Sequence, residues 1–247
     1  MHTQHHLQRA ELLLGPEGLA ELGACRFIIF GVGGVGSWCA EALARSGALD
    51  ITLVDSDTVD PTNINRQLVA DFSTVGRVKT TVMAQRIHSV SPGCRIHAFA
   101  GVYNSDTAPL FSLDDYDVVI DAIDSLQPKA LLILNATACR HARLVSSMGA
   151  ALKTDIFQIA HAEFWNVKGC PLARALRQTF KRTGKFPKRK FQCVYSPQLV
   201  QNAVDAGTSS TPNGTKRVNG TLVTTTATFG LALAQLAIQA ALPNRLR

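Results

Sequence analysis

Hydrophobic and polar positions change period repeatedly between residues 26 and 147. Arg26-Phe-Ile-Ile-Phe30 is a short apolar run closed by a glycine cluster, which predicts a buried strand. Residues 37–46 repeat at helical spacing, and Gly47 is placed to end that helix. Residues 51–54 form a second apolar run that ends in Asp55. A helix is predicted over 79–88, stopping before Pro92. Further strands are predicted at 95–99, 117–121 and 143–147, with a helix over 128–140. This alternation predicts an α/β fold, a mostly parallel sheet with helices on both faces.

Beyond 147 the pattern is less regular, which predicts a less regular C-terminal part. Leu172, Leu176 and Phe180 fall at i, i+4, i+8, while Arg174, Arg177 and Lys181 fall at i, i+3, i+7. That spacing predicts an amphipathic helix with a basic outer face, followed by a basic loop through Gly184 and Pro187. Residues 205–218 are rich in Gly, Ser, Thr and Asn and read as a mobile loop. Residues 220–242 carry no charge and are long enough to span a bilayer. Their Thr and Gln content, with Phe229, Leu233, Leu236 and Ala240 at helical spacing, predicts a buried terminal helix and no stable membrane insertion. The chain divides into 1–160 and 161–247, expected to pack as one domain.

Composition narrows the classes. The chain has 247 residues, 46% hydrophobic and 17% charged, enough for a sizeable core and against wholesale disorder. Its net charge is +7. Residues 164–204 hold no Asp or Glu, yet carry Lys168, Arg174, Arg177, Lys181, Arg182, Lys185, Lys188, Arg189 and Lys190. Such a segment is either a solvated face or a surface for a phosphate backbone. Six cysteines without a C-x-x-C pair read as reduced thiols of a cytoplasmic protein and argue against a structural zinc site. The polar N-terminus has no apolar signal core.

Gly31-Val-Gly-Gly-Val-Gly36 follows the first strand and opens the first helix, a Rossmann-like G-x-G-x-x-G in its proper context. Gly31, Gly33, Gly34 and Gly36 let the backbone turn and approach a phosphate. Asp55, at the end of the next strand, is placed to accept ribose hydroxyls. A dehydrogenase would need nothing more. Here Asn63, Arg66, Gln67, Lys79 and Asp124 follow. Asn63, Arg66 and Lys79 are donors suited to a triphosphate, and Asp124 at a strand end suits Mg²⁺. Nucleotidyl transfer needs such groups, because charge on phosphate oxygens must be neutralised.

The combination G-x-G-G-x-G, aspartate, N-x-x-R-Q, helical lysine and strand-end aspartate resembles the ubiquitin-activating-enzyme-like superfamily, the ThiF/MoeB adenylylating fold. Within it the chain looks most similar to the tRNA threonylcarbamoyladenosine dehydratases. Three stretches carry this: Gly33-Gly-Val-Gly-Ser-Trp-Cys-Ala-Glu-Ala-Leu-Ala-Arg45, Asp121-Ala-Ile-Asp-Ser-Leu-Gln-Pro-Lys-Ala130 and Thr226-Ala-Thr-Phe-Gly230. The resemblance covers roughly 9–150 and 217–231, and is thin between, apart from Gln192-Cys-Val-Tyr-Ser196.

It implies ATP-dependent adenylylation of a threonine carboxylate on a modified adenosine of tRNA. Ring closure with net loss of water follows. The glycines would cradle phosphate, Asp55 would hold the ribose, and Asn63 and Arg66 would meet the β- and γ-phosphates. Lys79 would grip the α-phosphate and Asp124 would hold Mg²⁺. A homodimer is implied, with Arg9 reaching the partner's site. The tRNA would lie on Arg174, Arg177, Lys181, Arg182, Lys188, Arg189 and Lys190. Cys193 reads first as a buried small apolar residue; it is also the candidate thiol, if Arg189 and Lys190 face it and lower its pKa, and a sulfur-relay protein is a candidate partner. Two departures stand out: residues 216–220 hold no cysteine, and Ala150-Ala151 stand where relatives carry glycines. The alternative is an adenylyltransferase for the C-terminus of a small sulfur-carrier protein, though such enzymes usually carry C-x-x-C pairs. A non-catalytic scaffold and a dinucleotide oxidoreductase are further readings, weakened by Arg66, Lys79 and Asp124 together.

Overall fold

The computed structural model describes residues 5–204, 207–211 and 214–245. Its centre is a seven-stranded sheet. The chain enters through helix α1 (Gln8–Ala24), bent at Gly15-Pro16, into strand β1 (Arg26–Phe30). Helix α2 (Gly36–Ser46), β2 (Asp50–Asp55), α3 (Lys79–Val90) and β3 (Arg95–Ala100) follow. The chain then crosses to β4 (Val118–Asp121), α4 (Leu126–Ala138) and β5 (Arg143–Ser147). After β5 come β6 (Ala160–Glu163), α5 (Pro171–Thr183) and β7 (Gln192–Tyr195). A two-stranded ladder of β8 (Thr208–Thr211) and β9 (Gly214–Arg217) precedes the terminal helix α6 (Val223–Ala241).

The strand order is β3-β2-β1-β4-β5-β7-β6, with every neighbouring pair parallel except antiparallel β6 and β7. The chain builds outward from β1 to β3 and then restarts on the other side at β4. The carboxyl ends of β1 and β4 therefore diverge into opposite directions and leave a crevice, where such sheets bind ligands. Two apolar layers cover the sheet. Phe27, Ile29, Ile51 and Leu53 pack with Leu43, Met83, Phe229 and Leu233 of α2, α3 and α6 on one face. Ile28, Phe30 and Val119 pack with Leu132, Ile133, Leu176 and Phe180 of α4 and α5 on the other. Strands covered on both faces explain why β1 and β4 read as apolar runs rather than alternations.

The expected strands and helices up to 147 are present with ends shifted by a residue or two, as for α4, which starts at Leu126 rather than 128. α1, β6 and β7 had no forecast: α1 lacks a strong apolar stripe, and β6 is short and half exposed. The stretch read as a mobile loop contains the ladder of β8 and β9; its residues 205, 206, 212 and 213 lie outside the described residues. α6 is long and apolar enough to cross a membrane by length and composition. In the fold, Phe229, Leu233 and Ala237 are fully buried against this chain's own core.

Candidate active site

The glycine loop fills the crevice between β1 and β4. Gly31 holds φ +91°, and a Cβ there would lie 2.7 Å from the Ala122 carbonyl oxygen. A Cβ on Gly36 would lie 1.8 Å from the Gly31 oxygen. These two glycines close the turn. Gly33 and Gly34 lie in looser surroundings: a Cβ on Gly33 would meet only Gln67 Nε2 at 3.8 Å, and one on Gly34 would lie 3.3 Å from Thr226 and 3.5 Å from Arg66 Cγ. α2 opens without a side-chain cap. Its first turn thus offers backbone N–H groups and the positive end of the helix dipole to an anion.

Asp55 ends β2 beside this loop. Its carboxylate accepts from Val32 N at 2.6 Å and Asp57 N at 2.8 Å. Burial pushes its pKa up, and the Lys79 charge and the two N–H groups only partly oppose that. Lys79, the first residue of α3, is 5% exposed. Its ammonium donates to Asp57 Oδ2 at 2.8 Å, and that carboxylate is 63% exposed. A cation is thus held almost out of water beside Asp55, with a partner that solvent screens.

Arg66 stands across the loop. Its guanidinium donates to the Thr62 carbonyl and to Asn65 Oδ1, both at 2.8 Å. Burial lowers its pKa, against the opposing charge of Asp124. The Arg66 carbonyl accepts from Trp38 Nε1 at 3.2 Å and Thr226 Oγ1 at 3.5 Å, so α2 and α6 both hold this turn. Asn63 uses its side-chain oxygen locally, accepting from Asp60 N at 3.2 Å in a capping box. Gln67 is buried with Oε1 unpartnered among the described residues. Exposed Asp124 follows β4 and accepts from the Ser125 hydroxyl at 3.1 Å.

The loop bearing Asp124 rests on a pair that sequence reasoning did not single out. Lys129 and Asp121 are fully buried, Nζ to Oδ2 2.7 Å. Lys129 also donates to the Ile123 carbonyl, and Asp121 accepts from Ile123 N and Ser146 Oγ. Both backbone polar groups of Ile123, the residue before Asp124, are thereby fixed. The two residues stand eight apart within one of the stretches that carry the family likeness, but nothing in their spacing announces a pair.

Several expected residues lie elsewhere. Arg9 is exposed near the start of α1, close to Leu7, which packs beside Gly47. Gly47 is at the far end of α2 from the glycine loop, about 16 Å along that helix, so Arg9 does not join its own chain's site. Cys193 faces the core between β5 and β6, fully buried. Burial drives its thiol well above the usual range, which corrects the expectation of a thiol activated by Arg189 and Lys190. Arg189 is exposed but held by its own chain. Its guanidinium donates to the Ala136, Thr137, Arg140 and Ala142 carbonyls, so it closes the end of α4. Arg177 donates to the Phe164 carbonyl and lies over that ring at 5.8 Å. Arg174, Lys181, Arg182, Lys188 and Lys190 are exposed.

These groups do not form one patch at the glycine loop. α5 begins at Cys170, whose Sγ would lie 4.0 Å from a Cβ on Gly149, beyond the carboxyl end of β5. It ends at Thr183, and Lys188 and Lys190 precede β7, whose first residue pairs with Val145 in the middle of β5, while Arg189 between them reaches the Ala142 carbonyl just before β5. The basic stripe runs down α5 from the nucleotide edge to the opposite edge.

A glycine loop at the switch point, with a buried lysine, a half-buried arginine and carboxylates on the flanking turns, defines a nucleotide-dependent α/β enzyme of the adenylylating kind. The chain matches the ThiF family over residues 5–245 and belongs to it. It is 41% identical to the tRNA threonylcarbamoyladenosine dehydratase of Bacillus subtilis over 78% of this chain and 75% of that one. It is similar to the crystal structure of the E. coli tRNA N6-threonylcarbamoyladenosine dehydratase in complex with AMP: TM-score 0.87, 34% identity, 97% of this chain and 95% of that one. The same E. coli enzyme in complex with ATP gives a TM-score of 0.85 at 32% identity, with the same coverage.

Proposed function

We propose that this chain is an ATP-dependent tRNA threonylcarbamoyladenosine dehydratase. The observation that carries the reading is the likeness to such an enzyme along nearly the whole chain, the basic segment included. The site supplies the chemistry. The threonine carboxylate, already a nucleophile at neutral pH, attacks the α-phosphorus of ATP and expels pyrophosphate. A nitrogen or oxygen of the same side chain then attacks the acyl carbon and loses its proton. AMP leaves with the former carboxylate oxygen, so the adenosine loses the elements of water.

Gly33, Gly34 and the first turn of α2 bind phosphate, and Asp55 accepts the ribose hydroxyls. Arg66 faces the leaving pyrophosphate, on a turn shaped by Asn63. Lys79 leaves Asp57 to solvent and meets the charge that builds on the α-phosphate, where a desolvated ammonium counts for most. Asp124, with the Ser125 hydroxyl, would hold Mg²⁺, which neutralises phosphate charge when bound. One carboxylate suits an ion that arrives with phosphates, and the described residues hold no cluster of three His, Cys, Asp or Glu. Arg9, on the wrong side of its own chain, acts at the second site of a homodimer. Work in the cytoplasm fits six free thiols. Transfer to a sulfur-carrier protein is less favoured because the chain has no C-x-x-C pair.

Incubation with ATP, Mg²⁺ and threonylcarbamoylated tRNA, followed by nucleoside mass analysis, tests the reading. Loss of one water from the modified adenosine, dependent on ATP and accompanied by AMP, is expected. An unchanged mass with ATP bound would overturn the dehydratase reading and move the search to protein C-termini as acceptors.

A further inference from the structure

At the edge of the sheet opposite the glycine loop, two large aromatic side chains are left in solvent inside the acid-free segment. Trp165 follows β6 and is 40% exposed, and Phe186 precedes β7 and is 50% exposed. Their ring centroids are 6.3 Å apart with planes tilted by 39°. Trp165 is backed by the core: it meets Phe164 edge-on at 5.1 Å, and Phe164 stacks on Phe191 and meets Phe180. Phe186 leans on Trp165, so the Trp165 face is the supported one. Lys168, Lys185, Lys188 and Lys190 are exposed neighbours in sequence. Glu163, just before the segment, turns one oxygen to Trp165 N at 3.0 Å and buries the other. No carboxylate of the segment faces this surface, since residues 164–204 contain none.

Exposed aromatic faces among lysines fit a partner that is both planar and polyanionic. We infer that Trp165 and Phe186 form a stacking platform for an unpaired base of the RNA substrate, while the flanking lysines hold its backbone. Every base has a π face, and single-stranded loops are where proteins reach one. The inference rests on the dehydratase reading and adds how the RNA is held. α5 links the platform to the nucleotide edge. Its thirteen residues make about 20 Å at 1.5 Å each, or about six stacked steps of one strand at 3.4 Å. Arg174, Lys181 and Arg182 line the way, so one RNA can reach both edges. A cavity of about 550 Å³ opens beside the platform, with Glu163, Asn166, Lys190 and Gln192 in its wall.

The test compares the binding of an unmodified tRNA stem–loop, whose loop bases are unpaired, with that of a blunt RNA duplex of equal length. Trp165→Ala and Phe186→Ala should each weaken the stem–loop about tenfold, leave the duplex unchanged and leave the salt slope unchanged, because no charge is lost. Trp165→Phe should restore most of the affinity. Equal affinity in all variants, or equal losses on stem–loop and duplex, overturns the platform. If Trp165→Ala fails to fold, wild type and Trp165→Phe decide. Tryptophan emission of the wild type should fall on adding the stem–loop, and the fall should shrink in Trp165→Phe; an undiminished fall overturns the proposal. Turnover of threonylcarbamoylated tRNA is measured in parallel. Turnover with unaltered Trp165→Ala affinity removes the platform alone, and loop-specific loss without turnover removes the dehydratase reading alone.

Discussion

Lys79 differs from an ordinary surface cation in how little water it keeps, whereas Arg66 is only half-buried. A buried ammonium is costly unless a strong partner compensates, and the partner of Lys79 is a carboxylate that faces solvent. Lys79→Ala therefore leaves Asp57 in solvent, and Asp55 keeps the Val32 and Asp57 N–H groups. It should keep the fold while lowering ATP-dependent AMP formation about 10²–10³-fold, the scale of losing one electrostatic donor to a transition state. Asp124→Ala should do the same and abolish the response to Mg²⁺. Single-turnover AMP release with a thermal melt checks both, and retained turnover in either contradicts the site. Cys193 gives the opposite expectation. Its thiol is fully buried and its pKa raised by desolvation. Cys193→Ala should cost about 1 kcal/mol of stability and leave turnover within about twofold, because this small core residue touches no substrate. A Cys193→Ala enzyme that folds but is inactive would restore the thiol.

The connection from β4 to α4 shows how an element places a site residue. Lys129 comes from α4, Asp121 from β4 and Ser146 from β5, and together they clamp Ile123. Gly31 packs on the neighbouring Ala122 carbonyl, so the same clamp shapes the wall of the glycine loop. Lys129→Met strands the Asp121 carboxylate in the core and should cost about 3–5 kcal/mol. The double variant with Asp121→Asn should recover part of that loss. Denaturant melts of the two variants decide: if the single variant costs less than about 1 kcal/mol, the pair is not what holds the loop. α6 plays a parallel role, since Thr226 and Trp38 reach the Arg66 carbonyl from two helices.

Across the whole molecule, charge and chemistry are distributed over two edges of one sheet. The nucleotide groups gather where β1 and β4 diverge, and the basic stripe descends α5 to the start of β7. Charge reversal at Lys185, Lys188 and Lys190, which face solvent, should weaken tRNA binding. The salt slope should fall by about 1 for each phosphate that a lysine no longer neutralises. ATP binding, read as thermal protection, should not change. Arg189 is left out of that set because it holds the end of α4, and its loss would confound binding with stability. An unchanged tRNA affinity would make the stripe a solvated face.

The chain's own order of residues determined the alternation of strand and helix, the glycine loop and the chemical character of the site. Those properties are local: short apolar runs against a 3.6-residue period, a glycine cluster between strand and helix, and donors a triphosphate demands. It also displayed the acid-free segment, whose composition needs no fold to be seen. Arg189 and Lys190 stand close to Cys193 in sequence, which suggested an activated thiol. Strand alternation buried the cysteine, while Arg189 reached the carbonyls at the end of α4. The partners of Lys79, the pairing of Asp121 with Lys129 and the assignment of Arg9 and the lysines to the far edge were decided by tertiary structure alone. Each depends on which elements pack side by side, and burial and distance across a sheet are not properties of neighbours in a chain.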